Sequence, residues 1–192
     1  MNEGLENGWL DVHRRVESPN YDYRPDSAQV SLLVIHNISL PPNEFEENYV
    51  DDFFTNCLNP SRHPFFEEIA HLRVSAHLYI DRKGTVTQYV PLYLRAWHAG
   101  ESRFDNRSCC NDFSVGIELQ GADHIPYTEE QYSQLVPLTL RLQTIFPLIT
   151  LDRIVGHSDI SPDRKTDPGN SFDWQRYLTL LTSGAGEGLG DS

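Results

Sequence analysis

The chain reads as an α/β protein, a mixed central β-sheet flanked by α-helices. Three observations predict this. Ser31 to Ile35 and Ser114 to Leu119 are short, nearly continuous apolar runs with the length of buried strands. Ala76 to Ile80 and Thr85 to Val90 flank Asp81-Arg82-Lys83-Gly84, a hairpin signal in which Gly84 is free to take positive φ. Thr128-Glu129-Glu130-Gln131 is a capping box that opens a helix, because Thr128 and Gln131 can satisfy each other's free backbone donors. Strands mixed with helices and a hairpin give parallel and antiparallel pairs in one sheet.

The elements follow in order. Residues 1–28 are polar, carry Pro19 and Pro25, and read as an irregular arm. Asn43 to Phe54 places Phe45, Tyr49, Val50, Phe53 and Phe54 near helical spacing, with acids on the other side, so a helix is expected. Cys57 to Phe66, with Pro60 and Pro64, reads as a loop. In the first hairpin strand, alternation puts Ala76, Leu78 and Ile80 on one face and His77 and Tyr79 on the other. The helix after Thr128 should bury Tyr132, Leu135, Val136, Leu142, Ile145 and Phe146. Pro137 should kink it, and Pro147 should end it. A last helix is expected near Asp173 to Leu181. The organisation is one domain over 1–182 and a flexible Gly-rich tail over 183–192.

Bulk properties exclude several functions. At 192 residues the chain is long enough for one domain with a real core. It has no run of about 18 apolar residues, so no membrane span is expected. Met1 to Asp11 has neither a cationic start nor an apolar stretch, so no export signal is read there. Three cysteines, Cys57, Cys109 and Cys110, make no paired framework, which favours a reduced, cytoplasmic setting. A net charge of -13 argues against nucleic acid and against anionic membranes. Arg62, Arg73, Arg103, Arg107, Arg164 and Lys165 nevertheless lie in or beside the expected site loops, so a small anionic ligand on a local cationic patch is compatible with an acidic whole. A monomer is expected.

The chemistry concentrates in Gly156-His157-Ser158-Asp159-Ile160-Ser161-Pro162-Asp163-Arg164-Lys165-Thr166-Asp167-Pro168-Gly169, a loop that follows the short strand Ile154-Val155. His36 ends the most apolar strand, Leu32-Leu33-Val34-Ile35. His36, His157 and Asp167 suit a catalytic zinc site, which needs three protein ligands and one open position. Glu118 sits inside an apolar strand, where a carboxylate gains a raised pKa suited to acid/base work. Lys165, two residues before Asp167, is placed to face a developing oxyanion. The spacing is only moderately specific: His63, His71, His77, His98 and His124 are open alternatives as ligands, and Glu118 alone could pair with an arginine.

Five segments carry a resemblance: Val34-Ile35-His36-Asn37; Ser75-Ala76-His77-Leu78-Tyr79-Ile80-Asp81-Arg82-Lys83-Gly84; Trp97-His98-Ala99-Gly100; Cys110-Asn111-Asp112-Phe113-Ser114-Val115-Gly116-Ile117-Glu118-Leu119; and the loop from Gly156 to Gly169. From about Gly8 to Leu181 the chain resembles the zinc N-acetylmuramoyl-L-alanine amidases of the peptidoglycan-recognition superfamily. Within them it is similar to the cytoplasmic branch that acts on 1,6-anhydromuropeptides in Gram-negative bacteria. The resemblance implies a zinc cofactor on His36, His157 and Asp167, with Glu118 and Lys165 catalytic. It implies muropeptide contacts from Asn37, Arg73 and Arg107, the two arginines suiting stem-peptide carboxylates. Many distant relatives carry cysteine as third ligand, and Asp167 places this chain in the anhydromuropeptide branch. Implied with it are cleavage between anhydro-N-acetylmuramic acid and L-alanine, a part in peptidoglycan recycling, and a limit on β-lactamase induction in hosts with that circuit. Two rivals are a broader wall-lytic amidase and a non-catalytic muropeptide-binding module. The latter would be expected to lack a ligand or the base.

Overall fold

The computed structural model describes residues 5–187. Its centre is a six-stranded sheet of β1 (Arg14–Arg15), β2 (Leu32–Ile38), β3 (Leu78–Ile80), β4 (Val86–Gln88), β5 (Ser114–Gln120) and β6 (Ile154–Gly156), in the order β6-β2-β5-β3-β4-β1. β6, β2, β5 and β3 run parallel as neighbours, β3 and β4 form the expected antiparallel hairpin, and β1 lies parallel to β4. Gly84 takes φ +82 in the hairpin turn. The helices are α1 (Val50–Phe54), α2 (Pro64–Ile69), α3 (Glu129–Ile145), α4 (His157–Ile160) and α5 (Trp174–Glu187).

Strand alternation sorts the side chains onto two faces. Leu33 and Ile35 of β2, Leu78 and Ile80 of β3, and Val115, Ile117 and Leu119 of β5 pack against Leu135 and Leu142 of α3 and Tyr177 and Leu181 of α5. On the other face, Leu32 and Val34 meet Ala99, Cys110, Phe113 and Ile160, while Tyr79 joins Val50, Phe54 and Phe66. Both faces are covered, which is why the strands read as continuous apolar runs rather than alternating ones. Each fully buried Leu, Ile or Phe contributes about 1.5–3 kcal/mol. Ala76 departs from the expected alternation: it packs with Tyr79, not with Leu78, because the regular strand begins only at Leu78.

The capping box forms as expected, Gln131 N to Thr128 Oγ1 at 3.2 Å and Thr128 N to Gln131 Oε1 at 3.1 Å. α3 runs on through Pro137 and stops at Phe146, before Pro147.

Four local expectations are corrected. The helix expected over 43–54 is formed only over Val50–Phe54. Asn43 sits at φ +67, outside helical space, and Asn48 Oδ1 accepts from Val50 N, so the helix starts there. The expected loop 57–66 contains a 3-10 turn at Pro60–Arg62 and the start of α2, each with a proline at its first position, where no N–H is needed. The arm is not wholly irregular. Arg14–Arg15 joins the sheet, and Tyr21–Asp22 pairs with Arg95–Ala96. α5 continues to Glu187, past the expected Leu181, and residues 188–192 of the expected tail lie outside the described residues. Cys57, Cys109 and Cys110 are unpaired. Among the described residues, no helix is long and apolar enough to cross a membrane.

Candidate active site

Parallel pairing brings β2, β5 and β6 to one edge at their C-terminal ends, the usual place for a site in such sheets. His36 and Glu118 are directly opposite in the β2–β5 register. Gly156 is opposite Ile35, so His157, the next residue, emerges beside His36. The expected loop opens with the single helical turn α4, anchored by Gly156 N to Asp159 Oδ2 at 2.7 Å. The chain then doubles back, and Ser158 N donates to the Asp167 carbonyl at 2.9 Å. The Pro168 carbonyl is held by Asn37 Nδ2 at 3.1 Å and by Tyr127 Oη at 2.7 Å. Gly169 has φ +80, and a Cβ there would lie 2.1 Å from Asp123 Cα. Only glycine fits where this loop closes on the body of the protein.

The result is one tight cluster. His36 Nδ1 and His157 Nδ1 are 3.0 Å apart, and Asp167 Oδ2 is 3.2 Å from the first and 3.1 Å from the second. Ligands about 2.0–2.1 Å from a tetrahedral zinc stand roughly 3.3 Å from one another. His157 Nε2 faces the Ala99 carbonyl at 3.1 Å, which only accepts, so in the neutral ring Nδ1 is a bare lone pair aimed into the cluster. Lone pairs converging with a carboxylate repel unless a cation lies among them, so two imidazoles and a carboxylate fit a small divalent ion. His36 is pushed down to about 4, chiefly by burial against the opposing contact with Asp167, which keeps it neutral and able to ligate at pH 7. Burial pushes the Asp167 carboxyl up, but its contacts with His157 and His36 outweigh this and hold it below the usual range.

Glu118 is raised well above the usual carboxylate value, first by burial and then by the charge of Asp167, with Lys165 opposing. Its Oε2 is buried and has no hydrogen-bond partner. Glu118, Lys165, His157, Asp167 and Asn37 line a single cleft of about 330 Å³, whose apolar wall is Phe65, Ile69, Leu72, Val74 and Trp97. The cluster thus has beside it a carboxyl disposed to hold a proton, a cation, and a wall for a substrate's apolar parts.

The other expected contacts fall differently. Asn37 lines the cleft, but its amide is also a brace, donating to Asp123 Oδ1 at 2.8 Å as well as to Pro168. Arg73 does not line the cleft; its guanidinium donates to the Ala70 and Leu72 carbonyls. Nor does Arg107, which lies 4.0 Å over the Phe113 ring. Of the six cations expected near the site, Lys165 is the one on this cleft. Arg164 braces the Ala99 and Glu101 carbonyls, and with Arg103 it lines a separate hollow.

Two residues take parts that sequence reasoning did not assign them. His98, one of several available histidines, packs edge-on to His36 with ring centroids 5.0 Å apart. Burial, then the neighbouring His36 and His77, holds it well below the ordinary histidine value. Its signal was the close sequence pairing with Trp97 and Gly100, which by itself assigns no role. Arg24, in the supposed irregular arm, donates to the carbonyls of Leu92, Asn111, Asp112 and Ser114. Burial lowers it to about 10, so it stays charged at neutral pH.

The family model "N-acetylmuramoyl-L-alanine amidase" matches residues 26–170. The chain is 55% identical over 178 residues to the 1,6-anhydro-N-acetylmuramyl-L-alanine amidase AmpD of Escherichia coli (strain K12), covering 93% of this chain and 97% of the relative. A crystal structure of a Se-Met AmpD derivative superposes with a TM-score of 0.89 at 54% identity, over 92% of this chain and 98% of that one. The Escherichia coli amidase AmiD, solved in complex with the substrate anhydro-N-acetylmuramic acid-L-Ala-D-gamma-Glu-L-Lys, matches at a TM-score of 0.58 and 25% identity, over 82% of this chain and 60% of that one. The family match spans β2, which carries His36, and the loop that closes at Gly169, and the fold agrees along nearly the whole chain. The chain belongs to the N-acetylmuramoyl-L-alanine amidase family.

Proposed function

We propose that this protein is a zinc-dependent amidase that cleaves the bond between 1,6-anhydro-N-acetylmuramic acid and L-alanine in muropeptides, acting in the cytoplasm in peptidoglycan recycling. The observation that carries this reading is the convergence of His36 Nδ1, His157 Nδ1 and Asp167 Oδ2 beside a buried, unpartnered carboxyl oxygen of Glu118. The relatives' names support the substrate class, and the acidic chain with unpaired cysteines supports the compartment. Where the host couples anhydromuropeptides to β-lactamase induction, such an enzyme limits it.

A zinc ion held by His36, His157 and Asp167 would supply Lewis acidity and a water of lowered pKa. The protein's own groups do the rest. Glu118, with a raised pKa, takes a proton from the attacking water and returns it to the departing L-alanine nitrogen. Lys165 places a cation on the cleft where the carbonyl oxygen gathers charge. Phe65, Leu72 and Trp97 exclude water from one side and orient the sugar and lactyl parts. Asn37 holds Pro168 and so keeps the Asp167 segment against the sheet.

The test is a mass-spectrometric assay of the metal-analysed protein on anhydro-N-acetylmuramyl tripeptide and its non-anhydro counterpart. Zinc-dependent release of tripeptide from the anhydro form alone is expected. Cleavage of both substrates would mark a wall amidase of broader range, and binding without cleavage a non-catalytic module.

A further inference from the structure

The two histidines of the cluster differ in how their outward nitrogens are engaged. His157 Nε2 meets a backbone carbonyl, so its tautomer is settled in one step. His36 Nε2 instead faces His98 Nδ1 at 2.9 Å, and an imidazole nitrogen can donate or accept. The ambiguity is resolved two contacts further on. His98 Nε2 is 3.2 Å from Ser114 Oγ, and Ser114 Oγ is 2.6 Å from the Cys110 carbonyl oxygen. The carbonyl has no proton, so the hydroxyl donates to it. The hydroxyl has a single proton, so it accepts from His98. His98 therefore carries its proton on Nε2, its Nδ1 accepts from His36 Nε2–H, and His36 Nδ1 is left bare toward His157 and Asp167.

We propose that His98, fixed by Ser114, is a positioning residue that sets the tautomer and ring orientation of His36 and so keeps His36 Nδ1 available to the metal. This rests on the zinc reading of the site. A histidine ligand ordinarily donates its second N–H to a carboxylate, a carbonyl or water. Here the acceptor is another imidazole, which works only because its own far end is locked.

The surroundings hold His98 in this pose. A Cβ on Gly116 would lie 2.5 Å from His98 Cγ and 2.6 Å from its Nδ1, so the ring rests on bare strand backbone that no other residue would leave open. The His98 and Ala99 amides both donate to Asn111 Oδ1, at 3.2 and 2.8 Å. One pinned dipeptide thus serves both ligands, through the His98 ring for His36 and the Ala99 carbonyl for His157. At 8% exposure, His98 is largely shielded from solvent, which would otherwise compete for either role.

The test uses the full chain. In the zinc-loaded wild type, nitrogen NMR of the imidazoles should show His98 protonated on Nε2 and accepting on Nδ1. Zinc affinity is read by competition with a chelator. His98→Leu should weaken zinc about 10–100-fold. His98→Asn, which returns an acceptor near the Nδ1 position, should recover most of that loss, and Ser114→Ala should show a smaller loss. If His98→Leu fails to fold, the Ser114→Ala affinity and the wild-type spectrum decide. An Nδ1–H tautomer at His98, or zinc affinity unchanged in the folded variants, overturns the inference. Wild type that binds zinc with loss in His36→Ala keeps the reading of the site even when His98 fails. A wild type that binds no zinc sinks both.

Discussion

The strand side and the loop side of the site are held by different means. His36 and Glu118 stand on adjacent parallel strands in register, so the ladder that makes the sheet also sets their spacing. Asp167 and Lys165 come from a loop held by a few turn bonds, by the braces on Pro168 and by a glycine that permits the closing turn. His157 sits at the join, one residue beyond β6 and first in α4. A group whose chemistry depends on desolvation is therefore placed where the backbone cannot shift. The charged groups come from a segment whose position is specified by a handful of contacts, and these are where it can be broken.

The largest contrast should come from Glu118→Gln. It should lower kcat by about 10²–10⁴-fold while zinc content stays at the wild-type level, because the strand register is untouched. Metal analysis alongside steady-state kinetics checks this, and full retained activity would move the base elsewhere.

The loop side should respond in the opposite way. Gly169→Ala puts a Cβ against Asp123 backbone at positive φ. It should cost about 1–3 kcal/mol and weaken zinc binding through displacement of Asp167. Urea melts with a chelator titration read both, and an unchanged zinc affinity would show that Asp167 is positioned without this turn.

A third difference concerns acid. His77, on the sheet side, is lowered from 6.5 to about 3 by burial and then by Arg24, against its bond to the Leu94 carbonyl. Its folded-state value is depressed, so its stabilisation is complete above pH 6.5 and lost as pH falls toward 3. The slope from this group should be at most about 1.4 kcal/mol per pH unit. Stability of the metal-free chain at pH 7, 6, 5 and 4 measures it, and a flat profile would mean that the ring is not buried in solution.

The smallest effect belongs to the surface. Arg95 bonds Asp22 at 2.6 Å and Asp112 at 2.7 Å, tying the arm to the segment before β5. The hydrogen bond from Arg95 holds Asp22 below its ordinary value of 3.8, so its stabilisation is present above that pH and lost as pH falls further. Asp22→Asn should change stability at pH 7 by no more than about 1 kcal/mol. A larger loss in denaturant titrations would show that the arm is more tightly coupled to the site than this pair indicates.

What could be read before folding was whatever neighbours in the chain encode. The hairpin at Asp81–Gly84, the capping box at Thr128 and the buried strands ending near His36 and Glu118 all appear where local pattern put them. Local pattern misjudged residues 43–54, whose apolar spacing suits one helix but whose backbone turns at Asn43 and is helical only from Val50. It also passed over Arg24, because a buried arginine is recognised only by the distant carbonyls that satisfy it.

The amino-acid sequence by itself determined the buried strands, the hairpin and the capping box, because side-chain period and residue type act over a few positions. It offered His36, His157 and Asp167 among several other histidines, and only the resemblance singled them out. Tertiary structure alone decided that Glu118 Oε2 is buried without a hydrogen-bond partner, that Arg73 and Arg107 lie off the cleft, and which nitrogen of His36 is free. Burial and tautomer depend on atoms brought together from Cys110, Ser114, His98 and His36, and no local pattern specifies that meeting.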